Sequence, residues 1–375
     1  MFERIKTLCD TFLDMGVPGF DLMICRDGEC ILRYKNGYSD LEKKIPMKGD
    51  ELYNIYSCSK LITCVAAMQL WEKGLFRLED RLSDYMPEFM EMTVRTPEGI
   101  VKANTPIYIY DLFQMTAGFD YELNSPSLVQ LYKDTDGRCP TREVARALAK
   151  EPLQFHPGEK FLYSLCHDVL AALVELWSGE KFADYVKNHI FTPLGMNQSD
   201  FLPPAERYEQ VIPLYLFGAE GVARHPNGQK PVYRLGTEHA SGGAGCVSTV
   251  EDYMKFLEAV RSGEKLLKRE TIERMMTPRL NAQQMETYSK KDTHGFGLGV
   301  RVPREGCWHR DFGWGGAAGA WYSVDMERGY SIFYAQHVIA SPNVVQRQQI
   351  YEFLVEELTG DRCPQPVLGD ATLTY

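Results

Sequence analysis

The chain has no apolar run long enough to cross a bilayer. Its richest stretches, 61–71 and 169–177, fall short of the roughly 20 residues a spanning helix needs. It also lacks a leader-like opening. MFERIKTLCDTFLDMG mixes charges of both signs and holds no apolar block, so it does not read as a secretory signal, and a soluble cytoplasmic protein without a membrane partner is expected. Basic charge is not in excess. The 41 Lys and Arg against 51 Asp and Glu leave a net charge of −10, which repels phosphate backbones and argues against nucleic acid as a partner. CxxC, HExxH and Cys–His zinc spacings are missing, so no metal and no cofactor are expected. There is no GxSxG elbow and no Walker A loop. Gly313-x-Gly315-x-x-Ala318 imitates a dinucleotide fingerprint, but AWYSVD after it is strand-like where that motif requires a helix.

What is present is an ordinary globular composition, 44% apolar and 25% charged over 375 residues, enough for two domains or one large one. The ten cysteines, in a large chain without a leader, read as reduced core thiols. An amphipathic helix is expected over 2–14, and strands over 19–26 and 30–35 joined at Asp27-Gly28. A short extended piece follows at 51–56, then a buried helix over 59–73 closed by Gly74. Helices are expected at 80–87, 109–116, 141–150, 166–178, 181–189, 249–261 and 268–276, with a loop or hairpin at 226–228. Strands return at 295–302, 307–312, 318–325 and 330–337, before a last helix over 343–358. Strands thus gather at both ends of the chain and helices in the middle. The expected fold is α+β: a mostly antiparallel sheet from both chain ends, covered by helices, with an inserted helical lobe. The expected division is 1–60 with 290–360 as the sheet lobe, 61–289 as the mainly helical lobe, and 361–375 as an irregular tail.

Ser-x-x-Lys occurs three times, at Ser57/Lys60, Ser178/Lys181 and Ser262/Lys265. The last two lie in polar Ser-Gly-Glu-Lys turns. Ser57 instead opens the most apolar helix of the chain, where free backbone N–H groups and the positive end of the helix dipole gather. Lys60 stands one turn on, along the same face. If buried, its pKa falls and it can take the serine proton. The alternative is a helix-capping serine beside a solvated lysine. Tyr163 follows a Pro-Gly turn and precedes a helix start. The glycine-dense FGWGGAAG (312–319) between two strands permits close backbone approach to a ligand. His156 and His167 flank Tyr163 and read as hydrogen-bonded neighbours, and Cys58 as a small packed side chain.

Taken together, SCSK (57–60), DLFQMTAGF (111–119), HPGEKFLYS (156–164), PLGM (193–196), GGAGCVST (242–249), GFGLG (295–299) and FGWGGAAG (312–319) resemble the beta-lactamase-related serine hydrolases: class C beta-lactamases, DD-peptidases and family VIII carboxylesterases. The resemblance runs from about 15 to 340. It implies a beta-lactamase/transpeptidase-like fold, with Ser57 as nucleophile, Lys60 as its base and Tyr163 as the tyrosine of the Tyr-x-Asn motif. It further implies an oxyanion hole from the N–H groups of Ser57 and Ala317. Two positions depart from the family pattern. Leu165 stands for the asparagine, and Trp314-Gly315-Gly316 replaces Lys-Thr-Gly. These four, Leu165, Trp314, Gly315 and Gly316, are the expected substrate-binding residues. Losing two polar groups that grip a beta-lactam favours a small ester as substrate. The alternatives are a beta-lactamase or D-amino-acid amidase or peptidase, and a non-catalytic binding or scaffold protein on the same fold. The oligomeric state has no signature in the sequence.

Overall fold

The computed structural model describes residues 1–229 and 231–364. Its centre is an eight-stranded sheet. In spatial order the strands are His294–Phe296, Arg301–Pro303, Phe312–Gly315, Trp321–Asp325, Tyr330–Gln336, Gly19–Arg26, Glu29–Asp40 and Ile45–Pro46, and every neighbouring pair is antiparallel. The junction between the two chain ends is the pairing of Gly19–Arg26 with Tyr330–Gln336, in register from Phe20 opposite Gln336 to Arg26 opposite Tyr330.

Side-chain alternation assigns the two faces. Phe20, Leu22, Ile24, Ile332 and Tyr334 point to one side, where they pack against the first helix, Glu3–Asp14, and the last, Gln349–Thr359. Cys25, Phe333, Ala335, Tyr322 and Val324 point the other way, into the larger core shared with the helices of the middle segment. That core is built around Ser59–Glu72, a helix with every residue from Ser59 to Met68 buried. A helix apolar all round is stable only when surrounded. It packs against Cys166–Ser178, and the runs Ala66-Ala67 and Ala171-Ala172 on the two helices are fully buried.

The expected architecture is present, with local corrections. The strand expected over 295–302 is two strands, because the chain turns at Gly297–Gly299, where Gly299 has φ +90°. The strand expected at 307–312 runs later, over Phe312–Gly315. The last helix begins at Gln349, after a 3₁₀ turn Gln346–Gln348. The middle segment is not only helical. It holds the hairpin Thr93–Thr96/Gly99–Lys102 and the hairpin Tyr215–Gly218/Gly221–Arg224, the latter extended in parallel by Val338–Ile339. It also holds the helix Pro126–Asp134. Of the expected irregular tail, 361–364 is without regular structure and 365–375 lies outside the described residues. Among the described residues no helix is long and apolar enough to cross a membrane.

Candidate active site

Ser57 sits in a short 3₁₀ turn, Tyr56–Cys58, that leads directly into the buried helix Ser59–Glu72. Three devices fix this turn. Tyr53–Asn54 pairs with Val247–Ser248, and the Ile55 N–H donates to the Cys246 carbonyl. The Tyr253 hydroxyl donates to the Cys58 carbonyl at 2.8 Å. Tyr56 is held at φ +45°, a left-handed conformation that costs a non-glycine residue of order 1 kcal/mol and persists only where packing over-determines it. The first hydrogen bond of the turn is Cys58 N–H to Ile55 carbonyl, so the turn does not use the N–H of Ser57. The glycine strand arrives beside it: a Cβ on Gly316 would stand 2.3 Å from the Ile55 carbonyl oxygen, and Ala317 packs with Tyr56.

Lys60 is 1% exposed, which rules out the solvated lysine of the alternative reading. Its Nζ lies 3.4 Å from Ser57 Oγ, 2.7 Å from the Gly243 carbonyl oxygen and 3.2 Å from the Tyr121 hydroxyl. Three acceptors match the three protons of an ammonium. Burial pushes the Lys60 pKa down to about 8, against the opposing pull of the Asp168 carboxylate. Asp168 is itself buried, and His239 Nε2 lies 3.2 Å from its Oδ1 with both side chains 1% exposed. His239 Nδ1 accepts the Leu235 N–H, which leaves Nε2 as the ring nitrogen beside Asp168. Burial works to raise the Asp168 pKa, but His239, Ser241 and Lys60 outweigh it and hold the group below its usual value.

Tyr163 stands three residues before the helix Cys166–Ser178. Its ring lies over Lys60, with Nζ 4.5 Å from the centroid, and stacks between Tyr121 and Trp314 at 5.7 and 5.4 Å. The Trp314 Nε1–H donates to the Tyr163 hydroxyl at 3.2 Å. Burial raises the Tyr163 pKa, opposed by the Ser57 hydroxyl and by Trp314, so at neutral pH the phenol keeps its proton. Ser57, Lys60, Tyr163 and Trp314, drawn from three segments, therefore form one contiguous group.

Family membership can be read from this arrangement together with the whole-chain comparison: the family model described as Beta-lactamase matches residues 5–345. The chain belongs to the beta-lactamase family. Esterase EstB of Burkholderia gladioli is 26% identical over 367 residues, spanning 88% of each chain. Protein Rv1367c of Mycobacterium tuberculosis is 26% identical over 356 residues, 88% of this chain and 87% of that one. Among solved structures, EstCE1, described as a hydrolase with promiscuous acyltransferase activity, superimposes with a TM-score of 0.76 at 25% identity, covering 93% of this chain and 96% of that one. The D-amino acid amidase of Ochrobactrum anthropi shares the fold, with a TM-score of 0.73 at 20% identity over 96% and 99% of the two chains.

Leu165 and the two histidines flanking Tyr163 are also placed by the fold. Leu165 is 2% exposed and packs in the large core, and its N–H donates to the Asp120 carbonyl. Like Trp314, it is buried in that core. His156 accepts the Asn104 N–H. His167 lies 3.7 Å from Cys64 Sγ, and burial lowers its pKa to about 3. Sequence reasoning missed Tyr121, Asp168, His239 and Gly243. The last had a readable signal, since Gly242-Gly243 interrupts a region with no other need for two glycines. A Cβ on Gly243 would meet Asp168 Oδ2 at 2.7 Å, and on Gly242 the His167 carbonyl at 2.3 Å. Tyr121 and Asp168 become neighbours of Lys60, and His239 of Asp168, only through the fold.

Proposed function

We propose that this protein is a serine hydrolase that cleaves a small carboxylic ester through an acyl-enzyme. The observation that carries the reading is the buried Lys60 amine, depressed toward neutrality and aimed at Ser57 Oγ. In the neutral amine, two protons remain for the Gly243 carbonyl and the Tyr121 hydroxyl, and the lone pair faces Ser57. Ser57 Oγ attacks the substrate carbonyl carbon and its proton passes to Lys60. The tetrahedral oxyanion is met by the N–H groups of Ser57 and Ala317, donors of a kind worth about 2.7–4 kcal/mol each.

Tyr163 has a distinct part in this scheme. Its oxygen already accepts from Trp314, and its own proton is retained at neutral pH. It therefore suits the delivery of a proton to the leaving alkoxide as the ester C–O bond breaks, and is recharged through Lys60. A water then attacks the acyl carbon, gives up its proton to the same pair and releases the acid, restoring Ser57 Oγ–H. The names of the relatives, an esterase and a hydrolase with promiscuous acyltransferase activity, support an ester or acyl-transfer substrate. An amide or beta-lactam substrate is the second reading, favoured by the family model and the amidase fold neighbour. A small-molecule partner without nucleic acid or membrane, and a cytoplasmic setting, belong to the same proposal.

A fluorophosphonate probe with intact-protein and peptide mass spectrometry tests the nucleophile: one adduct on Ser57 is expected, and labelling elsewhere or none at all sinks the mechanism and leaves the scaffold reading. Comparing kcat/KM for a short nitrophenyl ester, nitrocefin and a D-alanyl amide, each set against its uncatalysed hydrolysis, separates the substrate classes. At least a roughly tenfold preference for the ester, about 1.4 kcal/mol of transition-state binding, is expected. Preference for nitrocefin or the amide hands the site to the second reading.

A further inference from the structure

On the side of the sheet covered by the terminal helices, three side chains of metal-binding type converge from distant parts of the chain. They are His309, just before the strand Phe312–Gly315; Glu352, in the first turn of the helix Gln349–Thr359; and Cys363, beyond its end. Their ligand atoms all lie within 4.8 Å of one another, with His309 Nε2 3.5 Å from a Glu352 oxygen. Their exposures are 6, 4 and 8%. We propose that His309, Glu352 and Cys363 bind a divalent transition-metal ion of the zinc type.

The chain makes a detour to assemble this group. From Glu352 the helix carries it about 10 Å to Thr359 at 1.5 Å per residue. Gly360, at φ +74°, then ends the helix in the left-handed conformation. The chain doubles back by a similar distance to bring Cys363 beside Glu352, tied on the way by Asp361 to Arg328 and by Arg362 to Glu356. Donor chemistry selects the ion. A thiolate and an imidazole disfavour calcium and magnesium and suit zinc. One thiolate and one carboxylate cancel a dication, so the filled site is electrically neutral and tolerates its burial. Bond lengths of about 2.0–2.3 Å around tetrahedral zinc put neighbouring ligand atoms about 3.3–3.7 Å apart, close to the histidine–carboxylate separation here. Three protein ligands leave one position for water. Spacing rules on the sequence miss such a site because its ligands come from three separate segments.

The full chain, stripped with a chelator and reduced, should take up one equivalent of Zn²⁺ by elemental analysis. Co²⁺ as a probe should give a thiolate-to-cobalt charge-transfer band, and Zn²⁺ should protect Cys363 from alkylation, read by peptide mass spectrometry. Cys363→Ser should abolish the band, and His309→Gln should weaken Co²⁺ binding while leaving the circular dichroism spectrum unchanged. Turnover of a nitrophenyl ester should be the same with and without metal. Absence of stoichiometric uptake, or a cobalt band that survives Cys363→Ser, overturns the proposal and leaves the group a buried histidine–carboxylate pair beside a packed thiol.

Discussion

Ser57/Lys60 and Ser178/Lys181 carry the same four-residue spacing and share nothing else. Ser178 closes a helix: its hydroxyl donates to the Val174 carbonyl at 2.6 Å, Gly179 follows at φ +76°, and Lys181 is exposed. Ser262 behaves alike, donating to the Ala259 carbonyl ahead of an exposed Lys265. Ser57 lies at the opposite end of its helix, and Lys60 is enclosed by Gly243, Tyr121 and Tyr163. The spacing puts serine and lysine on one helical face only at Ser57/Lys60, since Lys181 and Lys265 lie past the ends of their serines' helices. Enclosure, which removes water from the ammonium, makes the lysine a base near neutral pH. Chemistry thus follows from what surrounds the pair.

The largest test of this contrast is deletion of each serine. Ser57→Ala should reduce ester turnover to background, whereas Ser178→Ala should leave kcat unchanged and cost at most about 1 kcal/mol of stability from the lost hydrogen bond. Steady-state assays with denaturant melts read both. Next come the lysines. Lys60→Ala should lower kcat by about 10²–10⁴-fold, the range for loss of a general base, and Tyr163→Phe should fall in the same range without adding to it, because both groups serve one proton path. Lys181→Ala should do nothing.

A subtler test alters the enclosure and keeps the pair. Turnover should rise with pH as Lys60 deprotonates near pH 8. The Asp168 charge favours the ammonium, so Asp168→Asn should move that limb to lower pH, by about one unit or more. A limb that stays put would show that Asp168 and His239 only pack. The smallest effect is expected from Trp314→Phe, which keeps the stacking on Tyr163 but removes one hydrogen bond worth about 0.5–1.5 kcal/mol. A loss of kcat/KM of up to about tenfold follows.

Periodicity made the sheet and the long helices readable. Phe20, Leu22 and Ile24 alternate cleanly, and 61–68 is apolar but for Thr63. The pieces that escaped are those whose signal is weak locally. In Thr93–Thr96/Gly99–Lys102, Ile100 and Val101 are exposed, so the hairpin shows no buried stripe. Gly297–Gly299 hides a turn inside an apolar run. Motif resemblance located Ser57, Lys60, Tyr163 and Trp314 because each lies in a segment with its own pattern. Asp168 and Tyr121 lie in equally ordinary stretches, and their bearing on Lys60 exists only in three dimensions.

The central pairing of Gly19–Arg26 with Tyr330–Gln336 has a consequence for biosynthesis. During translation at about 5–20 residues per second, the first strand waits on the order of 15–60 seconds for its partner. Meanwhile Glu29–Asp40 is its only neighbour, and an isolated hairpin is at best marginally stable. The helices of the middle segment, rich in local contacts, can collapse earlier. The nascent chain should therefore pass through a state with a formed helical lobe and an open strand edge, vulnerable to aggregation until the last strands are made. Slowing synthesis should lengthen that exposure, and a holdase that covers extended apolar strands should raise the yield of native protein.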